Sequence, residues 1–553
     1  MPDPTPAEIL DELAGRTVWD VLERTSRRLP RKLAVVDGAA RWSFEQMRRR
    51  SEALAAHLHR LGLRKGDVAG IYMRNSLELV TIFYALQRLG VIVAWMNAGY
   101  REHEARFLLR DSGARAVFVF SAWGDFDYVD AVLSLAGELP ELEWVVSAGP
   151  PPARTRGPPH LVPLQDLLGD GPPCPPPAVG PEDLSMLLYT SGTTGRPKGA
   201  MVRQSQVVRA GWAYSLGVDA AEEDVFLGFL PLTHSYGCGA LLVQPFLLGA
   251  TLVLMDRFAP EAAFRLIEAE RVTLQLAAPA HYLLELAHPA RASYDLSSLR
   301  AGMIAGQIAP AGLITQVERE LGIYLSSFLG SSEVGPGLSV ILPFGAPLEM
   351  RETYIGWPVA GTEARIADPA TGREMPAGEA GELLLSGWHV MAGYWNRPEE
   401  TEQQVRDGWL HTGDLALREA DGCLRILGRL KECINRGGFK VVPSEIESLL
   451  VRHPEVEEVC VVGTPNPVLG ESVCACVRPR EGGPGVSLAE VRAYLEGRVA
   501  WFKLPDELLV LDRFPRVPGG LKIDRFGPAG VAALAREAPA KEIWRRRPGG
   551  KRH

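Results

Sequence analysis

The residue types best suited to chemistry stand together at positions 190–199, Thr-Ser-Gly-Thr-Thr-Gly-Arg-Pro-Lys-Gly, directly after an apolar run at 184–189. Gly192, Gly195 and Gly199 permit tight turning and close backbone approach. The hydroxyls of Thr190, Ser191, Thr193 and Thr194 can donate to phosphate oxygens, and Lys198 adds a point cation. This is the chemistry of a phosphate-binding loop. It is not the G-x-x-x-x-G-K-[ST] loop, because Pro197 precedes the lysine and Gly199 stands where that loop places its Mg-binding hydroxyl.

The elements that must position this loop are read from hydrophobic periodicity. From about residue 18 to 342, short β-branched runs (67–73, 114–120, 250–256, 272–278) alternate with amphipathic helical patterns such as 44–62 and 259–272. That alternation implies βαβ units and an α/β fold with largely parallel sheets, which bind ligands beyond the carboxyl ends of their strands. Two Pro/Gly-rich passages, 149–163 and 171–181, read as a long surface connection without regular structure. Beyond Gly356 short strands (382–387, 423–428) form a smaller β-rich unit. A compact α+β pattern follows from Lys431, with helices at 444–454 and 487–499 and strands at 456–464, 471–479 and 507–512. The expected division is a large N-terminal domain of parallel-rich sheets with its β-subdomain over 1–430, a small mobile C-terminal domain over 431–535, and a solvated basic tail over 536–553.

Composition narrows the function. The chain has 553 residues, 46% hydrophobic and 23% charged, so it can bury a large core and is not a disordered or fibrous protein. Its 59 Lys and Arg against 67 Asp and Glu give −8, which offers no electrostatic case for nucleic acid. Seven cysteines without a C-x-x-C spacing argue against a disulfide framework or zinc ribbon, and Cys474 and Cys476 read as packed thiols on one strand face. The N-terminal stretch lacks the apolar core of a signal peptide. The charge-free run 237–255 is interrupted by Gln244, Pro245 and Gly249 and reads as a buried helix turning into a strand rather than a membrane span. A cytoplasmic protein without an integral membrane segment is expected.

Residues 190–199 resemble the phosphate loop of the AMP-forming adenylating superfamily of acyl-CoA synthetases, aryl-acid ligases and luciferases, and the resemblance extends over roughly residues 18–535. It implies ATP, Mg²⁺ and CoA as cofactors. It also implies a two-step reaction in which a carboxylic acid is activated to an acyl-adenylate and then transferred to CoA. Leu329-Gly330-Ser331-Ser332-Glu333 resembles the family's Tyr-Gly-x-Thr-Glu, making Glu333 the Mg²⁺ carboxylate and Ser332 a hydroxyl near the phosphates. Leu329 replaces an aromatic that stacks on adenine, a contact worth about 1–3 kcal/mol per base in nucleic-acid systems, unless Phe328 substitutes for it. Gly306 and Gln307 would wall the adenine site. Asp414 of Thr412-Gly-Asp would accept from the ribose hydroxyls, with Arg429 near the nucleotide. Lys431 matches the hinge, Gly437 and Gly438 the turn that admits CoA, and Lys522 the adenylation lysine. Aligned from Lys522, Leu521 stands where glycine is usual, and Pro515 is one residue too far away.

Pro231-Leu-Thr-His234-Ser-Tyr-Gly237 resembles the family's P-x-x-H-x-x-G segment, so His234 would line the carboxylate entrance. Ser235, Tyr236, Cys238, Ala277, Ala278, Pro279 and Gly306 would form an acyl pocket. No Asp follows His234 to hold an ammonium group, so an aryl, alicyclic or medium-chain acid fits best. Two alternatives stay open at this point: an adenylation enzyme loading the phosphopantetheine of a separate carrier protein, and a ligand-binding paralogue that has lost catalysis.

Overall fold

The computed structural model describes residues 4–123, 126–149, 158–169, 178–190, 197–436, 439–483, 485–517, 523–527, 529–538 and 541–543. The chain divides into two compact units. One comprises Met1–Ala364 and Leu384–His411, the other Arg365–Leu383 and Thr412–His553. The second unit therefore takes in stretches upstream of residue 430, the boundary expected from the hinge motif.

Two sheets frame the first unit. The seven-stranded sheet runs in the order Lys198–Arg203, Leu184–Thr190, Ile92–Trp95, Val68–Tyr72, Ala116–Phe120, Trp144–Ala148, His160–Pro163. Every pairing in it is parallel except the first. Its side chains alternate between two cores, Ala69 and Ile71 facing one and Val68 and Tyr72 the other. Burial on both faces explains why its strands read as continuous apolar runs. At its far edge the sequence reading needs correction. The strand His160–Pro163 lies inside the passage expected to be irregular, and it pairs in parallel with Trp144–Ala148. An edge strand tolerates a terminal proline because the missing N–H faces away from the ladder.

In the nine-stranded sheet six strands are mutually parallel: Tyr324–Leu329, Ala301–Ile304, Leu274–Ala277, Val225–Gly228, Thr251–Leu254 and Leu33–Asp37. The helices fall where periodicity placed them. Phe44–Arg60 is opened by a capping box in which Ser43 Oγ accepts from the Gln46 amide and the Gln46 side chain accepts from the Ser43 amide. Pro260–Glu270 starts on its proline. The charge-free run becomes the helices Ser235–Leu242 and Gln244–Leu248 and the strand Thr251–Leu254. Among the described residues no helix is long and apolar enough to cross a membrane.

In the second unit a six-stranded sheet carries the core. Val456–Asn466 and Gly470–Pro479 form its long antiparallel pair, and Glu507–Val510 joins the latter in parallel. Cys474 and Cys476 share a face with their sulfurs 4.0 Å apart, and Cys460 stands opposite Cys476. Burial pushes the Cys460 thiol up to about 12, and the hydrogen bond with Cys474 together with burial raises Cys476, so these two stay protonated. The tail also departs from expectation. Helix Val531–Glu537 runs past residue 535, and Glu542–Ile543 adds an edge strand to Glu507–Val510. There Lys541 Nζ bonds Glu507 at 2.8 Å, which gives this basic residue of the tail a buried partner.

Candidate active site

The parallel registers of the nine-stranded sheet put Ala277 beside Ile304 and Ile304 beside Ser327. The segments that follow these strands, Ala278–Pro279, Gly306–Gln307 and Leu329–Gly330, therefore line up along one carboxyl edge. Such an edge is where an open α/β sheet leaves a ligand crevice. Gly306, at φ +89, and Gln307 are both exposed there. Gly330 is dictated by a close approach: a Cβ on it would lie 1.6 Å from the Gly337 carbonyl oxygen. Leu329 is half-buried beside it. Phe328 points to the opposite face, as strand alternation requires. It packs edge-on to Tyr236 and Tyr214 with centroids at 4.8 and 5.1 Å, on the side away from Leu329.

The His234 segment is a tight turn. His234 N donates to the Pro231 carbonyl at 3.0 Å, and Nδ1 caps the helix Ser235–Leu242 by accepting from the Tyr236 amide at 3.4 Å. A Cβ on Gly237 would stand 2.1 Å from the Pro231 oxygen, which accounts for the P-x-x-H-x-x-G spacing. Buried Asn75, which the sequence reading missed, anchors this turn. Its Nδ2 donates to the carbonyls of Gly228 and Leu230 at 3.1 and 2.9 Å, and its Oδ1 accepts from the Leu232 amide at 2.9 Å. His234 is left exposed, and Ser235, Tyr236 and Pro279 are buried behind it. Cys238 is fully buried and turned toward Met186 of the other sheet, so the structure places it in the core between the sheets rather than on the pocket wall.

The phosphate-loop candidate closes a hairpin. Thr190 pairs with Lys198 across its mouth, and a strand rather than a helix follows, which separates it structurally from the G-K-[ST] loop. Ser191, Gly192, Thr193, Thr194 and Gly195 lie outside the described residues. Gly199 packs on the Tyr189 ring, where a Cβ would come within 3.2 Å. Tyr189 OH donates to Asp111 at 3.0 Å.

Between this hairpin and Glu333 runs the segment 390–395. Its main chain is bonded on one side to Gly199 and Met201 (Trp395 N to Gly199 O 2.8 Å, Ala392 N to Met201 O 2.9 Å, Met201 N to Gly393 O 2.9 Å). On the other side Met391 N donates to the Glu333 carbonyl at 2.8 Å. The Tyr394 hydroxyl donates to Glu333 Oε1 at 3.1 Å, and the Lys198 ammonium lies 5.0 Å from the centre of the Tyr394 ring. Burial and the Glu333 carboxylate both push the phenol upward, so it stays a donor. No local pattern marks Tyr394 in the sequence, because both of its partners are brought to it from far along the chain.

The donor set suits Mg²⁺. Glu333 contributes a lone, half-buried carboxylate, and no group of three or more His, Cys, Asp or Glu that could hold a metal exists among the described residues. Mg²⁺ is held in this way, by one or two carboxylates together with substrate phosphates rather than by a protein cage. Ser331 and Ser332 share the turn with Glu333 and are half-buried.

In the second unit Asp414 and Arg429 face each other across the hairpin Trp409–Arg418/Leu424–Arg429 and pair at 2.8 Å. Arg429 also donates to the Thr412 carbonyl at 3.0 Å, and the Asp414 amide donates to Thr412 Oγ1 at 3.0 Å. The acid is buried and the guanidinium exposed. Lys431 is exposed in the short turn Leu430–Glu432. Gly437, Gly438, Leu521 and Lys522 lie outside the described residues. The stem below Lys522 is described: Arg516 and Ile523 form a bridge, and Asp524 N donates to Pro515 O at 2.8 Å. Arg525 pairs with Glu447 at 2.8 Å and Glu432 at 3.7 Å, tying the stem to the turn that carries Lys431.

Comparison with known proteins gives the family. The profile described as AMP-binding enzyme matches residues 22–395, and that described as AMP-binding enzyme C-terminal domain matches residues 445–520. The chain is 33% identical over 507 residues to a feruloyl-CoA synthase of Amycolatopsis sp, covering 92% of this chain and 97% of that protein. It is 30% identical over 511 residues to the medium-chain fatty-acid–CoA ligase of Escherichia coli (strain K12), covering 92% and 89%. A crystal structure of an anthranilate CoA ligase in complex with anthranoyl-AMP superimposes with a TM-score of 0.84 at 27% identity, covering 94% of this chain and 98% of that one.

Proposed function

Because the chain belongs to the AMP-binding enzyme family, we propose that it is an AMP-forming acid–CoA ligase. A carboxylate oxygen attacks the α-phosphorus of ATP and pyrophosphate leaves. The thiol sulfur of CoA then attacks the acyl carbon, AMP leaves, and the thiol proton passes to solvent. The observation that carries the reading is the joining of Lys198 and Glu333 through Tyr394 beside the carboxyl edge of the nine-stranded sheet.

The chain's own groups have definite tasks in this reading. The first step brings two anions together. A cation about 4 Å from a unit charge offers about 4 kcal/mol at an effective dielectric of about 20, equivalent to about 10³ in rate when realised in the transition state. Lys522 supplies that cation at the reacting centre. Lys198 and the hydroxyls and amides of residues 190–195 hold the departing pyrophosphate. Glu333 would hold Mg²⁺, which when bound neutralises phosphate charge. Asp414, oriented by Arg429, accepts from the ribose hydroxyls. Gly437 and Gly438 leave room for a pantetheine arm, and rotation about Lys431 exchanges the two steps.

The acid is a hydrophobic monocarboxylate, aryl or medium-chain. The supports are the small residues Ala277, Ala278 and Gly306 along the edge, Tyr236 and Ser235 behind His234, and relatives named for feruloyl and medium-chain acids. Pyrophosphate release across a panel of such acids, with and without CoA, tests the proposal. Acid-dependent release with stoichiometric consumption of CoA is expected. Release with CoA left untouched points to a carrier-protein acceptor, and silence with every acid overturns the reading.

A further inference from the structure

Lys198 lies on a strand of the seven-stranded sheet and Glu333 in the turn beyond the strand Tyr324–Leu329, and they carry opposite charges, yet among the described residues no ion pair joins them. The Tyr394 side chain stands between the two. Its ring face holds the ammonium at 5.0 Å, and its hydroxyl holds one carboxylate oxygen at 3.1 Å. The residue is 4% exposed, and the neighbours flanking it on the segment 391–395 are pinned by the hydrogen bonds to Gly199, Met201 and Glu333 described above. Its own amide donates to Thr401 Oγ1 at 2.8 Å. A ring fixed on both sides is a rigid insert, whereas a long ammonium side chain left to itself would swing onto the nearest carboxylate.

We propose that Tyr394 is a positioning residue that keeps Lys198 and Glu333 apart, so that neither neutralises the other before nucleotide arrives. The inference rests on the reading of Lys198 as a phosphate ligand and Glu333 as the Mg²⁺ carboxylate. Cation–π attraction holds the ammonium without removing its charge. A single phenolic hydrogen bond leaves the remaining acceptor sites of Glu333 available. Without the insert, the two charges would close into an ion pair that ATP and Mg²⁺ would each have to break.

The test is calorimetric titration of the intact protein with ATP in the absence of acid, at zero and at saturating Mg²⁺. Tyr394→Phe retains the ring and is expected to bind metal-free ATP within about 3-fold of wild type while needing several-fold more Mg²⁺ to reach full affinity. Tyr394→Leu is expected to lose about 30-fold or more in metal-free ATP affinity. Adding Glu333→Gln to Tyr394→Leu removes the competing charge and should restore most of that loss, an outcome that a general packing defect would not give. Equal shifts with and without Mg²⁺ in both single variants, or no recovery in the double variant, overturn the insert role while the function stands. Failure of the wild-type protein to bind ATP at all removes the reading of the site and the insert role with it.

Discussion

In the first unit Lys198, Tyr394 and Glu333 are held chiefly by main chain. The segment 390–395 is laced to Gly199, Met201 and Glu333 by peptide hydrogen bonds, and Gly330 and Gly237 are packed against carbonyl oxygens at distances no side chain allows. In the second unit the corresponding groups are held by side-chain ion pairs, Asp414 by Arg429 and the stem of the Lys522 loop by Arg525 against Glu447 and Glu432. The difference is physical. Interlocked backbone cannot shift without breaking several hydrogen bonds at once, whereas a half-exposed ion pair can open at a modest cost. In the proposed function the first arrangement suits groups that must stay fixed on the triphosphate, and the second suits the stem of the Lys522 loop, which must engage and withdraw.

Lys522→Ala breaks the comparison most severely. It should lower acid-dependent pyrophosphate release about 10³-fold, the value of one bridging cation. Thioester formation from supplied acyl-adenylate should stay within a few-fold, and the melting temperature should not change. Stopped assays of the two half-reactions decide it, and equal loss of both would refute the division of labour between the steps.

Gly330→Ala challenges the claim that main chain holds the first unit. The added methyl meets a carbonyl oxygen that has no room to retreat, so equilibrium unfolding in urea should show a loss of about 3 kcal/mol. Wild-type stability in this variant would mean that the turn is softer than its contacts imply.

Asp414→Asn sharpens the contrast from the other side. Losing a charged acceptor costs about 1.5–3 kcal/mol, so KM for ATP should rise about 10–100-fold at nearly unchanged melting temperature. A change confined to kcat would remove Asp414 from ground-state nucleotide binding.

Much of this was legible from sequence because the strands of the two large sheets are buried and apolar. Their runs at 67–73, 114–120, 250–256 and 272–278 identify themselves, and the glycine-bearing turns follow them. What escaped depends on distant partners. Tyr394 and Asn75 acquire their roles only when strands far apart in the chain are brought together. Cys238 was expected on the acyl-pocket wall and Phe328 as a substitute for the aromatic absent at Leu329, and the actual face of helix or strand turns both side chains inward. The strand His160–Pro163 was hidden by flanking prolines, and the Glu542–Ile543 strand by the basic residues around it.

The smallest effect concerns a buried acid of the first unit. In the second unit the half-buried acids Asp506 and Glu447 are matched by Arg436 and Arg525. Glu285 instead meets an amide: Gln275 Nε2 lies 2.9 and 2.8 Å from its two oxygens, and Gln275 Oε1 has no partner. Burial pushes Glu285 up to about 8 from its ordinary 4.5. The folded chain therefore keeps a proton that the unfolded chain sheds above pH 4.5. This contribution to stability is full below about pH 4.5 and declines until about pH 8, by roughly 5 kcal/mol as an upper bound. Glu285→Gln supplies a neutral group that can donate to the orphaned Gln275 oxygen. Urea unfolding should find variant and wild type alike at pH 5 and the variant about 1–2 kcal/mol more stable at pH 8. Parallel stability curves across that range would show that Glu285 is ionised in the fold, and would place a compensating charge beside it.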